Sequence, residues 1–173
     1  MKTVVIYKSK TGFTKKYAEW IAEELSADIF QGSKVNADVL ATYDTVVYGG
    51  GLYAGGINGI KLIKRNLDKL KDKKVIAFAT GASPAKEETI REIENNNFSV
   101  EQQKHIKFFY LRGGFDYNRL NPFYKMLMTM LKSKLKSKTE LKPDEKGMLE
   151  AYEKPVDFTN KKNIDEIISY VNS

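Results

Sequence analysis

Thr3-Val4-Val5-Ile6-Tyr7, followed almost at once by Ser9-Lys10-Thr11-Gly12-Phe13-Thr14, is the stretch that sets the reading of this chain. Five β-prone residues without polar alternation suit a strand buried on both faces, as in a parallel sheet. The hexapeptide is a polar turn. It leads into a helical pattern with Ala18, Ile21, Ala22 and Leu25 on one face. Gly12 lets the backbone curl so that amide N–H groups converge, and the helix start adds its positive dipole end. The turn therefore reads as a phosphate cradle built from neutral hydroxyls and amides. It has neither the Gly-Lys-Ser/Thr ending of a Walker loop nor a Gly-x-Gly-x-x-Gly fingerprint. An ordinary Ser/Thr-rich turn with an N-cap is the plain alternative.

Outward from this unit the same alternation repeats. Short apolar strands are expected at residues 27–30, 45–48, 75–79 and 106–111. Ile60, Ile63, Leu67 and Leu70 mark one intervening helix, and residues 85–97, following Pro84, mark another. A last helix starts near Asn160, with Thr159 or Asn160 as N-cap, and buries Ile164, Ile167, Ile168 and Val171. Strands alternating with helices argue an α/β fold, a parallel sheet covered on both faces by right-handed crossovers. Ligands then bind beyond the carboxyl ends of the strands, near the point where strand order reverses. The length, 173 residues, suggests a single domain spanning 1–173. The stretch from about 113 to 158 is too long to be a plain connection and reads as an insertion.

Ser/Thr-x-Thr-Gly-x-Thr after the first strand is the FMN phosphate-loop pattern of flavodoxins, and Ser9, Thr11, Gly12 and Thr14 match it, with Lys10 and Phe13 in its variable positions. In element order the whole chain resembles the flavodoxin-like family. That resemblance implies a three-layer sandwich with five parallel strands in the order 2-1-3-4-5 and FMN at their carboxyl ends. It also implies cofactor contacts from two further loops. Gly51, Leu52, Tyr53 and Ala54 lie in a glycine-rich loop after the third strand, where Tyr53 would stack on the isoalloxazine and the glycines would let the loop move. Thr80, Gly81, Ala82 and Ser83 follow the fourth strand, where backbone amides would meet the flavin edge. This last loop lacks the stacking Tyr and acidic residues of many carrier flavodoxins, which leaves one flavin face less covered.

The insertion is aromatic, then basic. From Tyr117 to Thr139 there is no acidic residue, against six basic ones: Arg119, Lys125, Lys132, Lys134, Lys136 and Lys138. Asn121-Pro122 opens a helix with Phe123, Met126, Leu127, Met130 and Leu131 apolar. Three uses are open. The helix packs on the core with a solvated lysine tail. Or it docks on an anionic membrane or acidic partner through Lys125, Lys132, Lys134, Lys136 and Lys138. Or it covers the flavin, with Phe115 and Tyr117 as ring contacts and Arg112 or Arg119 as an anion clamp. The segment from Leu111-Arg112-Gly113-Gly114 through Asn121-Pro122-Phe123-Tyr124 to Met130, with Val156-Asp157-Phe158-Thr159-Asn160, resembles the inserted region of menaquinone-dependent protoporphyrinogen oxidases of the flavodoxin family.

Composition removes other chemistries. The chain has no Cys and one His, so disulfides, thiol nucleophiles, cysteine-ligated metals and multi-histidine sites are excluded, and no metal site is expected. His105 precedes the fifth strand, at the end away from the expected site, so no catalytic acid or base stands out. No apolar run approaches the ~18 residues of a membrane span. The apolar run at the N-terminus is too short for a signal peptide, and a cytoplasmic location is expected, with the inner membrane face as an alternative. The net charge of +7 suits an anionic partner, yet no reader motif accompanies the lysines, so nucleic acid is not expected. Three functions follow. One is an oxidoreductase of the protoporphyrinogen oxidase-like branch, passing electrons through FMN to a quinone or similar acceptor. Another is a flavodoxin-type carrier between small-molecule or protein redox partners. The third is a membrane-surface FMN module with little turnover.

Overall fold

The computed structural model describes residues 1–173. The elements are β1 (Thr3–Lys8), α1 (Phe13–Leu25), β2 (Asp28–Gln31), α2 (Ala37–Ala41), β3 (Thr45–Tyr53), β4 (Gly56–Ile57), α3 (Lys61–Lys64) and β5 (Lys74–Gly81). After these come α4 (Glu87–Asn97), α5 (Val100–Gln103), β6 (Ile106–Arg112), β7 (Gly114–Phe115), α6 (Pro122–Lys136), α7 (Pro143–Ala151), β8 (Val156–Asp157) and α8 (Asp165–Asn172). Five strands run parallel in the order β2-β1-β3-β5-β6. With the hairpin strand β4 set aside, this is the expected 2-1-3-4-5 order. Strand order reverses between β1 and β3, which places a ligand crevice above their carboxyl ends.

The strands are apolar on both faces because helices cover both. Val5, Val47, Ile76 and Phe78 face Tyr17, Ala18 and Ile21 of α1 and Ile167 and Val171 of α8. Val4, Ile6, Val46, Tyr48 and Ala77, on the other face, pack in one cluster with Leu40, Ile60, Ile63, Leu70 and Ile93. Successive residues alternate between the two clusters, as the period of two in a strand requires.

Several boundaries differ from the sequence reading. β3 does not stop at Tyr48 but continues to Tyr53 and folds back as a hairpin, pairing Leu52 with Ile57 and Tyr53 with Gly56. The glycines here serve close packing rather than motion. A Cβ on Gly49 would lie 2.1 Å from the Phe78 ring, and one on Gly50 would lie 2.6 Å from the Asn58 carbonyl oxygen. Ala54 and Gly55 form the two-residue turn, both at positive φ, as a hairpin matched to strand twist requires. The helix expected through Ile60 and Leu70 breaks into α3 and a 3₁₀ turn at Leu67–Leu70, yet Ile60, Ile63 and Leu70 are still buried. α4 begins at Glu87 rather than at residue 85, because Lys86 keeps an extended backbone. Asn160 caps the 3₁₀ turn Lys161–Ile164, which runs into α8. Within the insertion, α7 and the small β7–β8 sheet have no counterpart in the sequence reading.

Candidate functional site

The site is built on the first turn of α1. Gly12 is the N-cap at φ +98, and no side chain caps the helix. The amides of the first helical turn have no intrahelical acceptor by construction, so they are available to an anion. Ser9 shapes the loop from within: its Oγ accepts from the Gly12 N–H at 3.1 Å. Thr14 is 2% exposed. Its Oγ1 lies 2.6 Å from Thr80 Oγ1, which ties the first loop to the end of β5. Opposite them, a Cβ on Gly51 would come within 3.4 Å of Thr14 Oγ1 and 3.3 Å of the Tyr53 ring.

Above these groups opens a cavity of about 590 Å³. Thr11, Phe13 and Thr14 line it from the first loop, Gly51, Leu52, Tyr53 and Ala54 from the β3–β4 hairpin, and Thr80, Gly81, Ala82 and Ser83 from the loop after β5. Three loops separate in sequence thus converge on one space. Its far wall comes from the insertion: Phe115, Leu120, Tyr124, Leu127, Met128 and Leu131, with Met148 of α7.

Of the other candidate site residues, Phe115 alone lines the cavity. Ser9, Lys10 and Gly12 do not line the cavity. Lys10 Nζ sits 3.8 Å from the Tyr124 ring centroid and 4.9 Å from that of Tyr53, and the two rings are 4.5 Å apart. Burial pushes the Tyr53 phenol up to about 12, with Tyr124 adding to the rise and a hydrogen bond with Thr11 opposing it. Tyr53 therefore meets the cavity as a neutral ring at any physiological pH. Phe115 lines the cavity and packs edge-on against Tyr152. Tyr117 does not reach it: its hydroxyl lies 2.8 Å from Thr129 Oγ1 and its ring packs on Tyr152. Arg112 is also spent elsewhere. Its Nε donates to Ala82 O at 3.1 Å and its guanidinium covers the Phe158 ring at 3.7 Å. It braces the third loop from behind. Arg119 alone of the proposed clamps reaches the first loop, donating from Nη1 to Thr11 O at 3.1 Å. His105 is exposed beside Glu101, just before the amino end of β6, whereas these loops lie at the carboxyl ends of the strands.

Two supports of the site escaped the sequence reading. Asn97 is buried at the end of α4. Its Oδ1 accepts from Ile57 N–H, and its Nδ2 donates to Gly55 O and Ile93 O, all at 2.8 Å. The available signal was a polar residue four positions after Ile93, on the buried stripe of an otherwise polar helix. The second support is Gly114, where a Cβ would lie 2.6 Å from the Phe13 ring and 2.2 Å from Val156 O. The insertion thus closes directly on the first loop.

α6 presents different stripes on different sides. Tyr124, Leu127, Met128 and Leu131 face the cavity. Phe123, Met126, Leu127 and Met130 are exposed, so the helix is not simply packed on the core. At about 3.6 residues per turn, Lys125, Lys132 and Lys136 fall on the side opposite that exposed apolar stripe. Lys125 and Lys132 lie over the Tyr117 and Tyr152 rings, and Lys138 pairs with Glu145. The charge of the run is therefore partly absorbed within the insertion itself.

A model of the flavodoxin domain matches residues 4–142. An uncharacterized protein of Methanocaldococcus jannaschii is 39% identical over 87 residues, covering 49% of this chain and 57% of that protein. The chain therefore spans little more than half the length of that relative. Among solved structures, a flavodoxin from the domain Archaea is 20% identical over 64% of this chain and 85% of its own, with a TM-score of 0.42. The two-electron reduced flavodoxin of Megasphaera elsdenii is 17% identical over 62% and 84%, with a TM-score of 0.45. A flavoprotein in complex with FMN from Lactobacillus acidophilus NCFM is 19% identical over 64% and 91%, with a TM-score of 0.41. The family match begins in β1, takes in all three cavity-forming loops and runs on into the insertion, and on that extent the chain belongs to the flavodoxin domain family.

Proposed function

We propose that this chain binds FMN in the cavity above β1 and β3 and acts as a flavodoxin-type electron carrier. The observation that carries the reading is the uncapped start of α1, set beside Thr11 and Thr14 at the floor of a 590 Å³ cavity in a chain of this family. The residues present fit the cofactor. A phosphate needs converging donors, and the amides after Gly12 with the Thr11 and Thr14 hydroxyls supply them. A flat ring system needs close backbone approach and an aromatic surface, and Gly51 with Tyr53 supply those. When bound, FMN supplies one- and two-electron transfer at its ring system. The chain's own residues bind, orient and shield it. The Thr14–Thr80 bond fixes the first loop against β5. Tyr110, its phenol pushed up to about 12 by burial, donates to Ser83 O at 2.8 Å and props the third loop. The insertion excludes water from one side.

A second reading is favoured by that insertion wall, which is apolar apart from Asp116. An oxidoreductase of the protoporphyrinogen oxidase-like branch, passing electrons to a quinone or similar acceptor, would use such a wall to hold a bulky apolar partner. Anaerobic reductive titration of FMN-reconstituted protein separates the two. A carrier should take up electrons in two resolved one-electron stages. A single two-electron stage would move the assignment to the oxidoreductase, and failure to bind FMN would end both readings.

The same proposal includes an anionic membrane surface as a docking partner. No helix is long and apolar enough to cross a membrane. Lys134 continues the exposed stripe of Phe123, Met126 and Met130, a combination that suits an interfacial helix. Cosedimentation with vesicles containing anionic lipid should show binding that weakens several-fold between low and high salt. Equal recovery with neutral and anionic vesicles would remove the membrane from the proposal.

A further inference from the structure

We propose that Arg119, delivered by the insertion, is part of the phosphate subsite and makes the cofactor site selective for a phosphorylated flavin. The inference rests on FMN occupying the cavity as proposed above. The first loop by itself offers neutral donors, hydroxyls and amides. The insertion adds to it the Arg119 guanidinium, ion-paired with Asp116, whose carboxylate itself lines the cavity.

Three observations place that cation. Arg119 Nη1 donates to Thr11 O at 3.1 Å. A Cβ built on Gly12, the N-cap of α1, would lie 3.5 Å from the same Nη1, so the guanidinium sits directly against the loop where it curls. On its other side Arg119 Nε pairs with Asp116 Oδ2 at 3.2 Å. Asp116 is itself fixed, because its Oδ1 accepts from the Asn118 N–H and caps the 3₁₀ turn Tyr117–Arg119. The fork is thus aimed by two anchors. A guanidinium carries five N–H groups, and these contacts occupy two of them.

Charge explains why such a group matters here. A phosphate monoester carries a charge of about −1.5 to −2 at neutral pH. Neutral donors can satisfy its oxygens but leave its charge to the helix dipole. Arg119 shares its charge with Asp116 at 3.2 Å, so it offsets only part of the phosphate charge and acts chiefly through its unoccupied N–H groups, whose charge-assisted hydrogen bonds are roughly twice as strong as neutral ones. Arg119 is 64% exposed, so solvent and salt screen its contribution. Riboflavin has no phosphate and would gain nothing from it. Arg119 is here a positioning and selectivity residue that acts on the phosphate end, distant from the reacting ring.

The test measures FMN and riboflavin affinities by flavin fluorescence quenching at low and high salt, for the wild type, Arg119→Gln and Arg119→Lys. Gln keeps a neutral donor for Thr11 O, and Lys keeps the charge. Arg119→Gln should weaken FMN about tenfold at low salt, with a smaller loss at high salt and riboflavin unchanged. Arg119→Lys should recover part of the loss. Limited proteolysis of each variant without flavin reports whether the insertion still closes. Equal losses for FMN and riboflavin, together with faster cleavage in the insertion, would reduce Arg119 to a latch and overturn the proposal. Unchanged affinity for both flavins would also overturn it. A wild type that binds neither flavin would instead remove the FMN reading itself, and the inference with it.

Discussion

Replacing Thr11 and Thr14 together by Ala is expected to weaken FMN about 100-fold while changing riboflavin less than about threefold. The magnitude follows from two hydroxyl donors to a dianion, each worth about 1.5 kcal/mol, and from about 1.4 kcal/mol per tenfold in affinity. The selectivity is expected from position: both residues stand at the uncapped start of α1, where the proposed phosphate subsite lies. Thr14 carries a second role that must be separated from the first. Its hydroxyl bonds to that of Thr80 in a buried place, so Thr14→Ala also leaves the Thr80 hydroxyl without its partner. That structural cost is about 1–3 kcal/mol, and it appears in thermal melts without flavin. Thr80→Ala breaks the same bond from the other side. It should lower the melting temperature about as much while keeping most of the preference for FMN over riboflavin. If the double variant lost both flavins equally, the phosphate would lie elsewhere in the cavity.

The shape of the first loop could be read from sequence because its physics is local. A hydroxyl-rich turn with one glycine between a buried strand and a helix leaves few conformations, and Ser9, Gly12 and Thr14 stand where the local pattern puts them. The sheet order was legible through resemblance and through strands with no polar face. The β3–β4 hairpin was not. Gly49, Gly50 and Gly51 look mobile along the chain, but two of them are glycines because Phe78 and Asn58 occupy the space a Cβ would need. That reason lives on other strands and has no local trace. The insertion was hidden for a similar cause. Arg112, Tyr117 and Arg119 are equivalent candidates in sequence, each a polar or aromatic group at or beyond the end of β6. Only tertiary packing sends Arg112 to Phe158, Tyr117 to Tyr152 and Arg119 to the first loop. The lysine run misleads in the same way, since counting charge says nothing about which rings and carboxylates absorb it.

Asn97→Ala is expected to destabilise the protein by about 2–4 kcal/mol, within the range for a broken buried hydrogen-bond network. For a domain of this size that is a fall in melting temperature of roughly 5–15 °C. The loss is asymmetric. Ala removes one acceptor and two donated bonds, leaving the Ile57 N–H and the Gly55 carbonyl without partners beside a buried helix end. Ile93 O is less affected, since it lies inside α4. Asn97→Asp tests the chemistry more sharply. It keeps an acceptor for Ile57 N–H but turns a carboxylate toward two carbonyl oxygens, so it should be at least as damaging as Ala despite its matching shape. An effect on FMN is expected because Asn97 holds the Gly55 carbonyl and the Ile57 N–H, and so the β4 side of the Ala54-Gly55 turn. That turn carries Leu52, Tyr53 and Ala54 into the cavity wall. A hairpin free to open gives up the Tyr53 surface and the close approach at Gly51, so FMN and riboflavin should weaken together, by roughly three- to tenfold. This common loss is the opposite of the selective loss expected at Thr11 and Thr14, and it separates the ring end of the site from the phosphate end. If Asn97→Ala lowered stability with both affinities intact, the hairpin would be held by its own turn and by strand pairing, and Asn97 would serve α4 alone.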